Sequence, residues 1–289
     1  MKFSPTELAI LVRWMTERDW IRAKKAQGLP RPWTDDALLR DFRWCNVRRM
    51  DDRVSVALLD RWYVPDCDQQ TALVAALLAR LVNWPDSLLA ITGGRTFGLA
   101  DLPGARGALA QRAADGQKVF TGAYVVPGVP GRNKVDSVCD LVELIAPQAS
   151  RVVAPTMRGT WAALIEFDGM GSFLAGQVVA DLAQLPAVFA WDDAPTWAPL
   201  GPGSARGINR LRDRPKDQAI SHAQFEIELP ALIGVLRPMV PQIWEDRHLQ
   251  AMDVQNCLCE FDKYRRLQLG EGKVRARYAG AAVAQESLL

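Results

Sequence analysis

The segment Asp253-Val-Gln-Asn-Cys-Leu-Cys-Glu-Phe-Asp-Lys-Tyr264 sets four polar side chains at helical spacing. At 100° per residue, Asp253, Asn256, Glu260 and Lys263 fall within about 80° of one another and form one stripe. Val254, Cys257, Leu258 and Phe261 cover a mostly apolar arc that can pack on a core while the stripe faces a cleft, and Glu260 and Lys263 are close enough to pair. Two carboxylates, an amide and an ammonium on one face can take a proton from a nucleophile, read a hydrogen-bonding edge and hold an anion. Asp253 and Glu260 are therefore the candidate general bases. Lys263 is the candidate partner for a carboxylate or leaving group, and Asn256 and Asp262 are candidate substrate ligands. The same spacing also fits a plain amphipathic helix with a solvated face.

Two further segments carry groups suited to phosphate. Phe42-Arg-Trp-Cys-Asn-Val-Arg-Arg-Met-Asp-Asp52 gathers Arg43, Arg48 and Arg49 around Asn46. Guanidinium forks match a phosphoryl group bidentately, and Asn46 and Asn256 can read a hydrogen-bonding edge. The alternative is an Arg-rich helix face paired to Asp51 and Asp52. In Leu200-Gly-Pro-Gly-Ser-Ala-Arg-Gly-Ile-Asn-Arg210, Gly201 and Gly203 form a turn that lets backbone approach a ligand. A helix capped by Ser204 would point its first N–H groups at an anion, with Arg206 and Arg210 adding charge-assisted contacts. Helix-hairpin-helix modules grip DNA phosphates with such a turn, whereas the plainer reading is a helix connection broken by glycine. Phe120-Thr-Gly-Ala-Tyr124 offers Thr121 and Tyr124 as the lining of a base pocket, or else a core strand. Trp33 and Trp44 stand near the Arg cluster and could stack on a base.

These groups must be carried by a mainly α-helical chain. Apolar residues recur at helical spacing from Ser4 to Ala23, and a helix capped by Thr34 is expected to run toward Val47. Further helices are expected over 54–62, 69–84, 134–145, 158–167, 171–185 with a small-residue contact at Gly176, 223–236 and 240–269. Between Gly93 and Arg132 the chain is glycine-rich, and Lys118–Pro127 reads as a strand or extended loop. The 289 residues, 49% hydrophobic and 24% charged with a net charge of +2, describe an ordinary folded protein. They are expected to form one domain over 1–289, with lobes at 1–150 and 151–270 around a cleft and a polar tail at 271–289.

Five scattered cysteines and the lack of a leader before the first helix point to free thiols in a reducing compartment. With two histidines and no paired Cys or His motif, no structural metal site is expected. The most apolar stretch, Thr71 to Trp84, is interrupted by Arg80 and too short to span a bilayer, so no membrane partner is expected.

Met252-Asp253-Val-Gln-Asn resembles the helix opening of helix-hairpin-helix DNA glycosylases, with Asp253 as the matching acid, although 50 residues separate it from Gly203. A fuller resemblance covers most of the chain. Residues 42–52, 120–124, 201–211 and 253–264, in that order, look like the alpha-glutamyl/putrescinyl thymine pyrophosphorylase family, the amino acid:DNA transferases. These share a helical module with 5-hydroxymethyluracil DNA kinases. The resemblance implies a glycosylase-like helical fold and an enzyme in the cytoplasm of a phage-infected bacterium. It also implies a reaction on double-stranded DNA in which the (pyro)phosphate of phosphorylated 5-hydroxymethyluracil gives way to an amino acid or amine, glycine or serine foremost. A DNA glycosylase and a non-catalytic DNA-binding module are the alternatives. No Walker-type glycine loop occurs, which sets the chain apart from the kinase. No motif demands a cofactor; a Mg²⁺ ion near Asp52 or Glu260 would suit a pyrophosphate.

Overall fold

Why helices dominate is visible in their caps and apolar faces. A computed structural model of the chain describes residues 1–122 and 131–271. The helices are α1 (Pro5–Ala26), α2 (Ala37–Asp41), α3 (Arg53–Arg61), α4 (Gln69–Val82), α5 (Pro85–Thr92), α6 (Leu102–Ala114) and α7 (Lys134–Ile145). They continue as α8 (Ala149–Val152), α9 (Met157–Leu164), α10 (Ser172–Leu182), α11 (Pro202–Leu211), α12 (His222–Leu236), α13 (Pro241–Arg247) and α14 (Ala251–Gln268). No β-strand occurs among the described residues, so the fold is mainly α. No helix among them is long and apolar enough to cross a membrane.

The chain forms two compact units: Met1–Asp51 together with the chain from Leu200 onward, and Asp52–Pro199. The second unit is built on α4, where every residue from Thr71 to Val82 is buried. Each buried leucine there contributes about 1.5–3 kcal/mol. Arg80, the charge interrupting that apolar run, is bound through Nε to Asp181 of α10 at 2.6 Å. The Asp181 carboxylate also accepts from Tyr63 Oη at 2.6 Å, while the Arg80 guanidinium reaches Ser55 Oγ at 3.1 Å and Asn83 Oδ1 at 3.2 Å. The small-residue contact expected at Gly176 is present: a Cβ there would stand 2.8 Å from Pro199 Cγ.

Four local expectations change. The helix expected toward Val47 stops at Asp41, because Phe42 is extended and buried and the following amides take partners elsewhere. Its N-cap is Asp36, whose carboxylate accepts from Leu38 and Leu39 N–H; Thr34 instead donates to Glu17. In the glycine-rich middle, α5 and α6 are helical, while Lys118–Gly122 is neither helix nor strand. The single helix expected over 240–269 is two helices, broken where His248 takes a left-handed conformation at φ 49°.

Candidate functional site

In the first unit, α14 receives the loop from Phe42 to Asp51 along the face that carries the polar stripe. Asp253 lies in the first turn of α14, where its Oδ2 accepts from Gln250 N–H at 2.9 Å and completes the N-terminal cap. Its Oδ1 accepts from Arg49 N–H, also at 2.9 Å. Glu260 Oε2 accepts from Cys45 N–H at 3.3 Å and from Lys263 Nζ at 3.1 Å. Lys263 Nζ donates to Arg43 C=O and stands 4.3 Å from the centre of the Trp44 ring. Cys257 Sγ contacts Val47 C=O at 3.5 Å. The stripe therefore faces a loop rather than open solvent, and its carboxylates hold the backbone that a continued α2 would have tied up. Charge-assisted hydrogen bonds of this kind contribute about 1.5–3 kcal/mol each.

From the other side the loop is gripped by Arg18. Its Nε donates to Cys45 C=O at 3.1 Å, and its Nη2 donates to Trp44 C=O at 3.3 Å and Asn46 Oδ1 at 3.0 Å. Asn46 spends its remaining amide group on Asp51 C=O at 2.8 Å. Trp44 packs edge-on against Trp14 and Tyr264, with centroids 6.3 and 5.8 Å away. Trp33 lies between Arg31 and Lys25, whose cations stand 4.7 and 5.3 Å from its ring.

The stripe residues divide by what they leave open. Both Asp253 oxygens are used, the residue is buried, and burial pushes its carboxyl above the usual range against the opposing pull of the two N–H donors. Glu260 has one oxygen, Oε1, with no partner among the described residues. Asn256 Nδ2 is buried and likewise lacks an acceptor. These two groups lie one helical turn apart on the same face of α14. Of the arginines, Arg43 is exposed, Arg49 is buried, and Arg48 pairs with Asp51 at 3.3 Å, as the ion-pair alternative required.

Gly201 and Gly203 do not make a turn between consecutive helices: α10 ends at Leu182, Gly201 is the N-cap of α11, and Gly203 lies inside that helix. Ser204 is not the cap; its Oγ accepts from Gly201 N–H at 3.0 Å from within the first turn. The glycines serve helix packing. A Cβ on Gly203 would stand 3.0 Å from Cys259 Sγ, and one on Gly207 would stand 2.4 Å from Leu258 C=O oxygen. Arg206 and Arg210 converge on Asp262, which is fully buried and so is enclosed by the protein's own cations rather than offered to a substrate.

Thr121 belongs to the second unit, its N–H donating to Val82 C=O at 3.1 Å, and a Cβ on Gly122 would meet nothing within 4 Å. Tyr124 and the tail after Glu271 lie outside the described residues. No group of three or more His, Cys, Asp or Glu residues among the described residues could hold a metal ion. Asp52 and Glu260 fall in different units.

The family profile described as "5-hmdU DNA kinase, helical domain" matches residues 6–274, nearly the whole chain. This protein belongs to that family. A curated relative, the "5-hmdU DNA kinase" of Bacillus phage SP10, is 27% identical over 215 residues, covering 65% of this chain and 33% of the relative. The chain thus spans about a third of that kinase's length. No solved structure matches. The helical-domain match runs from α1 through α14, so it takes in both the loop at 42–51 and the helix that holds it. Sequence reasoning passed over Arg18, yet its signal was present. Leu8, Leu11, Met15 and Ile21 mark the buried face of α1, and Arg18 interrupts it as a charged residue among buried ones.

Proposed function

We propose that this chain is an amino acid:DNA transferase of the alpha-glutamyl/putrescinyl thymine pyrophosphorylase kind. It replaces the (pyro)phosphate on phosphorylated 5-hydroxymethyluracil in double-stranded DNA with glycine, serine or another amine, during phage thymidine hypermodification in the infected cell. The observation that carries the reading is convergence. Residues 42–51 of the first segment that bears the resemblance fold in one unit with 201–211 and 253–264, and beside that Arg-bearing loop the buried Asn256 Nδ2 and the Glu260 Oε1 have no partner among the described residues. Membership of a family named for a kinase of 5-hmdU DNA supports the same modified base.

In this reading the incoming ammonium gives a proton to Glu260 Oε1. The free amine nitrogen then bonds to the exocyclic methylene carbon as the carbon–oxygen bond breaks, and the phosphate departs with the bonding electrons. Asn256 donates to a uracil carbonyl of a flipped nucleotide, and Arg43 and Arg48 meet the departing phosphate. Asp253 is a positioning residue that acts through the Arg49 N–H, and Lys263 sets the Glu260 carboxylate. A glycosylase-like helical fold belongs to the same reading, supported by the place of Asp253 in the first turn of α14. No cofactor is required, with Mg²⁺ as the companion of a pyrophosphate group.

The test is mass spectrometry of nucleosides from DNA carrying phosphorylated 5-hydroxymethyluracil, incubated with the protein and a mixture of amino acids and polyamines. A nucleoside with the mass of an amine adduct is expected. Abasic sites instead would transfer the chain to the glycosylases, and unchanged DNA would make it a binding module.

A further inference from the structure

Two carboxylates in the first unit are each surrounded by three guanidiniums, and their charge balance differs. Around Asp51 stand Arg22, Arg48 and Arg247, at 3.7, 3.3 and 3.5 Å. Arg22 is also held by Asp19 at 2.7 Å, so part of that positive charge is already matched. Around Asp262 stand Arg206, Arg266 and Arg210, with Nε atoms 2.7, 3.2 and 3.0 Å from its oxygens. Arg210 continues through Nη2 to Glu271 at 2.6 Å, and Lys216 Nζ reaches the same carboxylate at 3.1 Å. Four cations thus share two carboxylates, leaving two positive charges over.

Those two charges are not spread evenly. Arg210 is engaged through both Nε and Nη2, and its side chain is only 9% exposed. Arg206 donates to Asp262 through Nε alone, whereas Arg266 is paired with the same carboxylate by charge, its Nε 3.2 Å away without a hydrogen bond; the Nη groups of both have no partner among the described residues, and their side chains are 30% and 28% exposed. Both approach the same oxygen, Oδ2, so the two groups lie side by side. The buried carboxylate that accepts from Arg206 Nε fixes the plane of that guanidinium and leaves its Nη edge turned away from the anchor, while Arg266 is held beside it by charge. The side-chain entropy of ordering Arg206 is already spent in the fold, which lowers what an anion must overcome to bind. Side-by-side Nη edges match the oxygens of a tetrahedral phosphate, and an anion there relieves the repulsion among three guanidiniums.

We propose that Arg206 and Arg266, gathered side by side at Asp262, form a phosphate-binding site that takes either a phosphodiester of the DNA backbone or a free phosphate. The first source rests on the reading of DNA as substrate; the second does not. Asp262 is then the anchor of this site, and Arg210 is part of its frame.

The experiment uses the full chain in two ways. In the wild-type protein, modification of Arg206 and Arg266 by phenylglyoxal is mapped by mass spectrometry, alone, with duplex DNA, and with inorganic pyrophosphate. In Arg206→Gln and Arg266→Gln, duplex binding is followed by fluorescence anisotropy across a salt series, after confirming an unchanged thermal midpoint. Protection by DNA, with each substitution lowering the slope of log K against log salt by about 0.9, is the expected result for a backbone phosphate. Protection by pyrophosphate alone, with DNA slopes unchanged, assigns the site to a free phosphate. Equal modification of both arginines under all three conditions overturns the proposal. Should the wild-type protein bind no duplex at all, the DNA reading fails while the pyrophosphate arm still decides the site.

Discussion

Replacing Gly207 by alanine separates packing from propensity, because the two pull in opposite directions. In a helix interior alanine is favoured over glycine by about 0.8–1 kcal/mol, and on that ground alone the variant should be more stable. At Gly207, however, the new Cβ would lie 2.4 Å from the Leu258 carbonyl oxygen, 2.9 Å from its carbon and 3.1 Å from its Cα. All three are backbone atoms of α14, so no side-chain rotation can make room. Bringing the closest contact to an ordinary distance requires α11 and α14 to part by roughly 1 Å, and overpacking of this size costs about 1–3 kcal/mol. Separation also draws Arg206 and Arg210 away from Asp262, which adds to the loss, so a net destabilisation of about 1–3 kcal/mol is expected. Gly234 in α12 is the internal control: it is exposed, an added methyl there would meet nothing within 4 Å, and Gly234→Ala should be neutral or stabilising by up to about 1 kcal/mol. Urea titration of both variants, followed by circular dichroism, measures the difference in midpoint. A Gly207→Ala protein as stable as the wild type would refute the claim that these helices meet backbone to backbone.

Asp181→Ala leaves Arg80 buried without its partner and should cost about 3–5 kcal/mol, while the paired change Arg80→Met with Asp181→Leu should recover most of that loss; thermal unfolding of both decides it. Burial raises the carboxyl of Asp253 above its unfolded value near 3.9, so the native state holds that proton more tightly. Its contribution is then full below about pH 4 and falls as pH rises through the raised folded value, so the stability gap between wild type and Asp253→Asn should shrink over that interval in a urea series. A gap that widens with pH would contradict the burial argument. Glu260→Gln keeps an acceptor for the Cys45 N–H but cannot take a proton, so amine transfer at neutral pH should fall by about 10²–10⁴-fold with DNA affinity retained. Undiminished turnover would remove Glu260 from the chemistry.

The helices were largely legible because their apolar periodicity is local, and the pairing of Glu260 with Lys263 follows from spacing on one helix. Arg80 was read only as a break in an apolar run; its partner Asp181, the lone charge of α10, was not picked out, because the pairing joins helices about 100 residues apart. The loop at 42–51 was not legible. Its helical pattern is overridden by hydrogen bonds to Asp253 and Glu260, which lie more than 200 residues further along, and no local propensity encodes such partners. The glycine at 203 was misread for a related reason: a glycine that lets a helix approach and a glycine that breaks one look alike until the opposing surface is known.

The first unit is discontinuous, and this bears on how the protein is born. Arg49 must wait for Asp253, 204 residues later, before its amide finds its native acceptor. At about 5–20 residues per second, a ribosome needs roughly 10–40 s to deliver that carboxylate. The whole of 52–199 is delivered within that interval and can fold before α14 exists, while the loop carrying Arg43 and Arg48 stays unanchored. Maturation of the candidate site is thus tied to the arrival of α14, so a nascent chain cut short before that helix would carry the arginines without the surface that arranges them.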